Sequence, residues 1–162
     1  MVEQLVEFFR GIPDWISLIA ISVLPIIELR GGIIAAKLMG VAFLRAFPIC
    51  IIGNILPIPF VLLLLDKIFA LLRKFKFTSK FMAFLDRKVE KNRDKVERYG
   101  WIGLVLFVGI PLPGTGAWTG ALIANALKMP IKKSLPSICL GVICAAIIMS
   151  IVSYFIPGLF GF

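Results

Sequence analysis

Glu28 and Arg30 stand two residues apart inside an apolar stretch, LPIIELRGGI, and form the ionisable pair best placed to do chemistry in this chain. Glu28 is the only carboxylate deep in such a stretch; Asp14 and Asp66 fall at segment edges. A carboxylate removed from water is strongly disfavoured when charged and unpaired, so it is either paired or held neutral. Glu28 therefore either ties down a chain break through Arg30 or backbone N–H groups, or takes up and releases a proton on a transport path. The guanidinium fork of Arg30 suits phosphate, and Gly31 and Gly32 beside it would let a headgroup approach the backbone; the alternative is that Arg30 serves Glu28. Lys37, about two turns further on, can snorkel toward the outer interface. A second break, GIPLPGTGAW, carries Pro111, Pro113, Gly114 and Gly116, and its Thr115 can cap the following helix or turn its hydroxyl to a ligand. Asn54, Trp118, Thr119 and Asn125 either line the same cavity or make contacts between helices.

Other chemistries drop out. With no histidine there is no Ser-His-Asp or Cys-His catalysis and no His-ligated zinc. A single membrane carboxylate supplies no acid pair for an aspartyl protease or glycosidase mechanism, so the expectation is a protein that is not an enzyme. No GxxxxGK[ST] pattern is present, which discards a nucleotide P-loop. Cys50, Cys139 and Cys144 lie in apolar runs without CxxC spacing and read as packing residues. No cofactor and no metal is expected.

The elements that must position these residues are membrane elements. The 162 residues are 60% hydrophobic, with mean hydropathy +1.01, where a soluble domain would be about half apolar. The net charge of +9 would suit nucleic acid, but in so apolar a chain basic residues mark cytoplasmic loops, so nucleic acid is not expected as a partner. Of four apolar stretches, 46–65 and 134–156 are uncharged runs of 20 and 23 residues, long enough to span a bilayer. Stretches 15–43 and 101–127 are interrupted by the two breaks, where proline removes a backbone donor and glycine admits non-helical backbone. Each flanking half is about ten to thirteen residues, half a membrane, which predicts a re-entrant helical hairpin. The second half-helices are expected to begin near Gly32 and near Thr115–Ala117, aiming backbone N–H groups at an anion.

Charge distribution sets the topology. Segment 66–100 holds eleven Lys/Arg against five acids and is expected in the cytoplasm, with an amphipathic helix between Thr78 and Arg98 (Phe81, Leu85, Val89 and Val96, with Asn92 a polar exception in the stripe) on the inner leaflet or packed beneath the domain. The connector KMPIKK adds Lys128, Lys132 and Lys133, which join the others inside only if 101–127 is re-entrant. Fourteen of the 18 cationic residues are then inside, Arg10 and Arg45 outside, and Arg30 and Lys37 within the membrane. Glu3 and Glu7 precede the first Arg, unlike a signal peptide, so the chain reads as mature.

An offset of 88 residues pairs Pro25 with Pro113, Gly32 with Gly120, Ala36 with Ala124, Pro48 with Pro136, Gly53 with Gly141 and Ile55 with Ile143. The coincidence of breakers predicts two copies, 15–65 and 101–156, of one hairpin plus one span. Each copy crosses once, so the repeat is inverted and the two hairpin tips meet near the midplane.

ELRGGI and PLPGTGAWTGALIA, in a chain this short, resemble the small multi-drug export protein family, a branch related to the DedA (VTT-domain) superfamily. That resemblance covers nearly the whole chain. For the wider superfamily it implies two opposed re-entrant hairpins and roles in lipid movement, namely polyprenyl-phosphate recycling in bacteria and phospholipid scrambling in eukaryotic relatives. It also implies acidic residues in the first re-entrant region, which Glu28 matches, and arginines in the second, where 101–127 has no Arg or Lys. The resulting expectation is an all-α polytopic protein of the cell membrane, one domain over 1–162, with a basic cytoplasmic connector. Its expected function is proton-coupled translocation of an amphipathic anionic lipid such as a polyprenyl phosphate or phospholipid, with Glu28 as proton carrier. The alternatives are a proton-coupled exporter of organic cations and a non-transporting scaffold. Expected partners are membrane lipids and protons, with homo-oligomerisation left open.

Overall fold

The computed structural model describes residues 11–64, 87, 99–112 and 114–155, which form helices and turns with no strand among the described residues. The expected amphipathic stripe between 78 and 98, and the first ten residues, lie outside them. Helix α1 (Asp14–Val23) starts after Pro13, with Asp14 favourably placed at its positive end. It stops because Pro25 bars the helical conformation from Leu24, whose ψ is 129°. Helix α2 (Glu28–Leu38) begins four residues earlier than the expected start near Gly32, so both glycines of ELRGGI lie inside it. Packing overrides their poor helix propensity: a Cβ on Gly32 would meet Ser22 of α1 and the Cys50 Sγ at 3.1 Å.

Helix α3 runs Phe43–Ile55 and, past a turn at 56–57, on to Leu64; α4 is Tyr99–Gly109, α5 Ala117–Ala126 and α6 Ile131–Ser150, prolonged by a π-helical turn Ile151–Phe155. Among the described residues, two helices are long and apolar enough to cross a membrane, Phe43–Leu64 and Ile131–Phe155. Each starts three residues before the expected span and so takes in exposed cations, Arg45 in one and Lys132 and Lys133 in the other, whose long stems can reach headgroups. Only 33% and 39% of their apolar windows are buried, so most of that surface faces outward, as lipid-facing helices require and a soluble core helix does not.

The short helices gather around the midpoints of the long ones. Phe43 makes edge contacts with Tyr154 and Phe155 at 5.8 and 5.6 Å, so α3 starts where α6 ends and the two run antiparallel. The Tyr154 hydroxyl donates to the Val41 carbonyl at 2.9 Å, with Lys37 Nζ 5.5 Å from the ring centroid, which fixes the C-terminal end of α2 to the same end of α6. The N-terminus of α2 instead lies beside Val142 and Ala145, midway along α6. From the other direction, Gly109 at the end of α4 faces Cys144, and Gly120 of α5 faces Val108 and Ile138. Both breaks therefore meet halfway along the long helices.

Backbone hydrogen bonds recur 88 residues apart. Helices α2 and α5 end at 38 and 126, and α3 and α6 begin at 43 and 131. Val41 N–H bonds Ala36 O, and Met129 N–H bonds Ala124 O, both at 2.9 Å; Gly40 to Lys37 matches Lys128 to Asn125. Gly40 (φ 71°) and Lys128 (φ 52°) share left-handed backbone after their helices, which glycine adopts without strain and lysine does not. Pro48 and Pro136 are each the sixth residue of a long helix.

Gly141 shows how tight this assembly is, since a Cβ there would lie 2.9 Å from the Val105 carbonyl oxygen. Backbone cannot swing aside as a side-chain tip can. Gly141→Val should cost about 1–3 kcal/mol of overpacking or more, read as a lower unfolding temperature in detergent.

Candidate functional site

The junction of the two breaks is built by α2, which supplies both charges. Glu28 is 6% exposed, and its carboxylate accepts the backbone N–H of Ala117 through Oε2 and of Trp118 through Oε1, each at 3.2 Å. These are the first two residues of α5, whose unsatisfied donors carry a partial positive charge. Of the two roles open to Thr115, capping this helix is not the one it takes: the N-cap is Gly116, with no side-chain cap of its own, and the cap arrives from 89 residues away. Glu28 holds its position at φ 53°, a left-handed conformation costing a non-glycine residue about 1–2 kcal/mol. Gly116, at φ 150°, is bare where a Cβ would run into that carboxylate.

Arg30 takes the opposite end of the break. Its Nη1 donates to Leu112 O at 2.6 Å, and its Nη2 to Thr115 Oγ1 at 2.9 Å and Ile110 O at 3.4 Å. The Thr115 hydroxyl turns to the carbonyls of Ile110 (2.8 Å) and Leu112 (2.9 Å) while accepting from Arg30. A cation thus sits on the carbonyls that follow α4 and an anion on the N–H groups that open α5, each at the helix end of opposite sign. Trp118 Nε1 closes a third terminus by donating to Val23 O, in the last turn of α1, at 3.1 Å.

Beside this clasp lies a cavity with room for about one water molecule, lined by Glu28, Arg30, Asn54, Gly116, Val142 and Ala145 among others. Asn54 is 1% exposed; its Nδ2 donates to Ser22 O at 3.2 Å, and its Oδ1 has no partner among the described residues. The bond to Ser22 fixes the amide, because a flip would set two oxygens against each other. The acceptor stays uncompensated in a buried place.

Of the residues singled out in the sequence, Glu28, Arg30, Asn54, Thr115, Gly116 and Trp118 come together here. Gly31 and Gly32 are buried, and Gly32 faces α1 and α3, so its lost side chain serves helix packing, not headgroup approach. Pro111 and Gly114 shape the break, the latter at φ 80°, and Pro113 lies outside the described residues. Thr119 is half-buried in the first turn of α5, while Asn125 is about 9 Å further along that helix, away from the junction. Sequence reading missed the working parts that carry no residue-type signal: the N–H of Ala117, the carbonyls of Ile110 and Leu112, and the small wall of Val142 and Ala145.

The profile of the family described as "Putative small multi-drug export protein" matches residues 28–148, beginning at the carboxylate of the clasp and ending in α6. No curated relative and no solved structure matches the chain.

Proposed function

The chain belongs to the small multi-drug export protein family, and on that premise we propose that it is a membrane transporter moving an amphipathic anionic substrate, a polyprenyl phosphate or phospholipid, coupled to protons. The observation that carries this reading is the clasp: a helix N-terminus already holding an anion, with a guanidinium and a hydroxyl beside it, at mid-length of two bilayer-spanning helices. A phosphate headgroup asks for the same donors.

The remaining architecture follows. The breaks are the tips of two re-entrant hairpins entering from opposite faces, a reading supported by their meeting at the middle of α6 and by half-length helices on either side. The hydrogen bonds recurring 88 residues apart support an inverted repeat, the arrangement in which a transporter exposes one central site to each side in turn. The lysines and arginines of 66–100 support a cytoplasmic location for that segment, with the domain in the surface membrane of a cell, and the lone carboxylate argues for transport without catalysis. The kinship to DedA proteins stands on the same hairpin plan.

Proteoliposomes containing the purified protein test the reading. Labelled phosphatidylglycerol should cross leaflets faster than in empty vesicles, and faster still under an imposed pH gradient. Efflux of ethidium, an organic cation, without any headgroup crossing would replace this reading with cation export.

A further inference from the structure

The clasp poses a problem for a site meant to take an anion, because Glu28 already occupies it. Both N–H groups that open α5 are engaged by its carboxylate, and no phosphate can use them while it stays. A second anion beside the first would also be repelled. Across the same small cavity, however, Asn54 offers a fixed, 99% buried amide oxygen that has no donor among the described residues. A buried acceptor without a donor is destabilising, and a carboxylate cannot help it, having no hydrogen to give. A protonated carboxyl can.

We propose that the first turn of α5 is an anion site that Glu28 occupies itself, and that one proton moves Glu28 from α5 to Asn54, handing the N–H groups of Ala117 and Trp118 to the substrate's phosphate. This rests on the anionic, proton-coupled reading above and specifies how the two ligands are linked. A proton binds Glu28 Oε; the neutral carboxyl, now a weaker acceptor, leaves the helix N-terminus and donates its O–H to Asn54 Oδ1, directly or through one water. The phosphate takes the vacated donors with Arg30 and Thr115 alongside. No other bond is made or broken, so proton and anion enter together and leave together. Among the described residues, the ionisable groups around Glu28 are few. Arg30 is on its own helix and the Cys50 thiol is on α3; Asp14 of α1 and Tyr99 of α4 lie at the far ends of their helices. Helix α5 carries none, and α6 adds the Cys139 and Cys144 thiols, with its lysines at its start. Glu28 is thus the one carboxyl at the junction among the described residues.

The test is binding of dihexanoyl-phosphatidylglycerol, a phosphodiester of constant charge, to the full chain in neutral detergent, read by the fluorescence of Trp118 with Trp15 and Trp101 replaced by Phe. Affinity should rise as pH falls, approaching tenfold per unit above the transition. Glu28→Gln should bind tightly with no pH dependence. Asn54→Leu should move the transition to lower pH, since the protonated carboxyl loses its acceptor, and the isosteric Asn54→Asp should move it to higher pH by adding a like charge. Binding that ignores pH in the parent, that keeps its pH dependence in Glu28→Gln, or that is unshifted in both Asn54 variants overturns the exchange while leaving an anionic substrate standing. No binding in either the parent or Glu28→Gln overturns both.

Discussion

Arg30→Ala is expected to abolish the headgroup translocation proposed above and to lower stability by about 2–3 kcal/mol, the range for a charged hydrogen-bonding group whose partners are left behind. The loss has three parts. The carbonyls of Ile110 and Leu112 lose their donor, the Thr115 hydroxyl loses the group it accepts from, and Glu28 loses the nearest positive charge. Arg30→Lys separates binding from folding. A lysine keeps the charge but cannot fork across two carbonyls and a hydroxyl, so it should retain most of the stability and only part of the translocation rate. Thermal unfolding in detergent and leaflet crossing in vesicles check the two effects independently. Parent-like behaviour of Arg30→Ala in both assays would sink the role given to the guanidinium.

Gly116→Ala is expected to be nearly as damaging, for a different reason. The added Cβ overlaps the Glu28 carboxylate, and φ 150° is a conformation that L side chains rarely adopt. Overpacking and backbone strain should each contribute about 1–3 kcal/mol. The two parts can be told apart by adding Glu28→Ala. That second change removes the collision but not the strain, so the double variant should be more stable than the sum of the single effects predicts, while translocation stays lost. Additive unfolding free energies across the four proteins would mean that Gly116 and Glu28 do not touch.

Much of this arrangement can be read along the chain, because local rules govern it. Pro25 ends α1 by constraining the residue before it, and uncharged runs of membrane length become α3 and α6. The 88-residue offset even anticipates helix boundaries, since Pro48 and Pro136 fall at the same step of their helices. Failures occur where a distant partner decides. Gly32 looks like part of a helix break until α1 and α3 are packed against it. Thr115 stands next to α5 and invites the role of cap, yet the donors of that helix go to Glu28, and the threonine hydroxyl goes to carbonyls behind it. Asn54 reads as one more polar residue in a span; its significance comes from what faces its oxygen across a cavity that no spacing reveals.

Both charges at the junction belong to α2, while the described residues of the facing break, between Ile110 and Gly116, contribute only backbone, a threonine hydroxyl and a bare glycine. The two halves, alike in helix boundaries and turns, are therefore plug and socket. Two copies of the first half placed face to face would crowd two carboxylates and two guanidinium groups into one gap, and two copies of the second would leave four helix ends uncapped. Neither half can stand in for the other, so the halves expressed as separate chains should pair only as first with second.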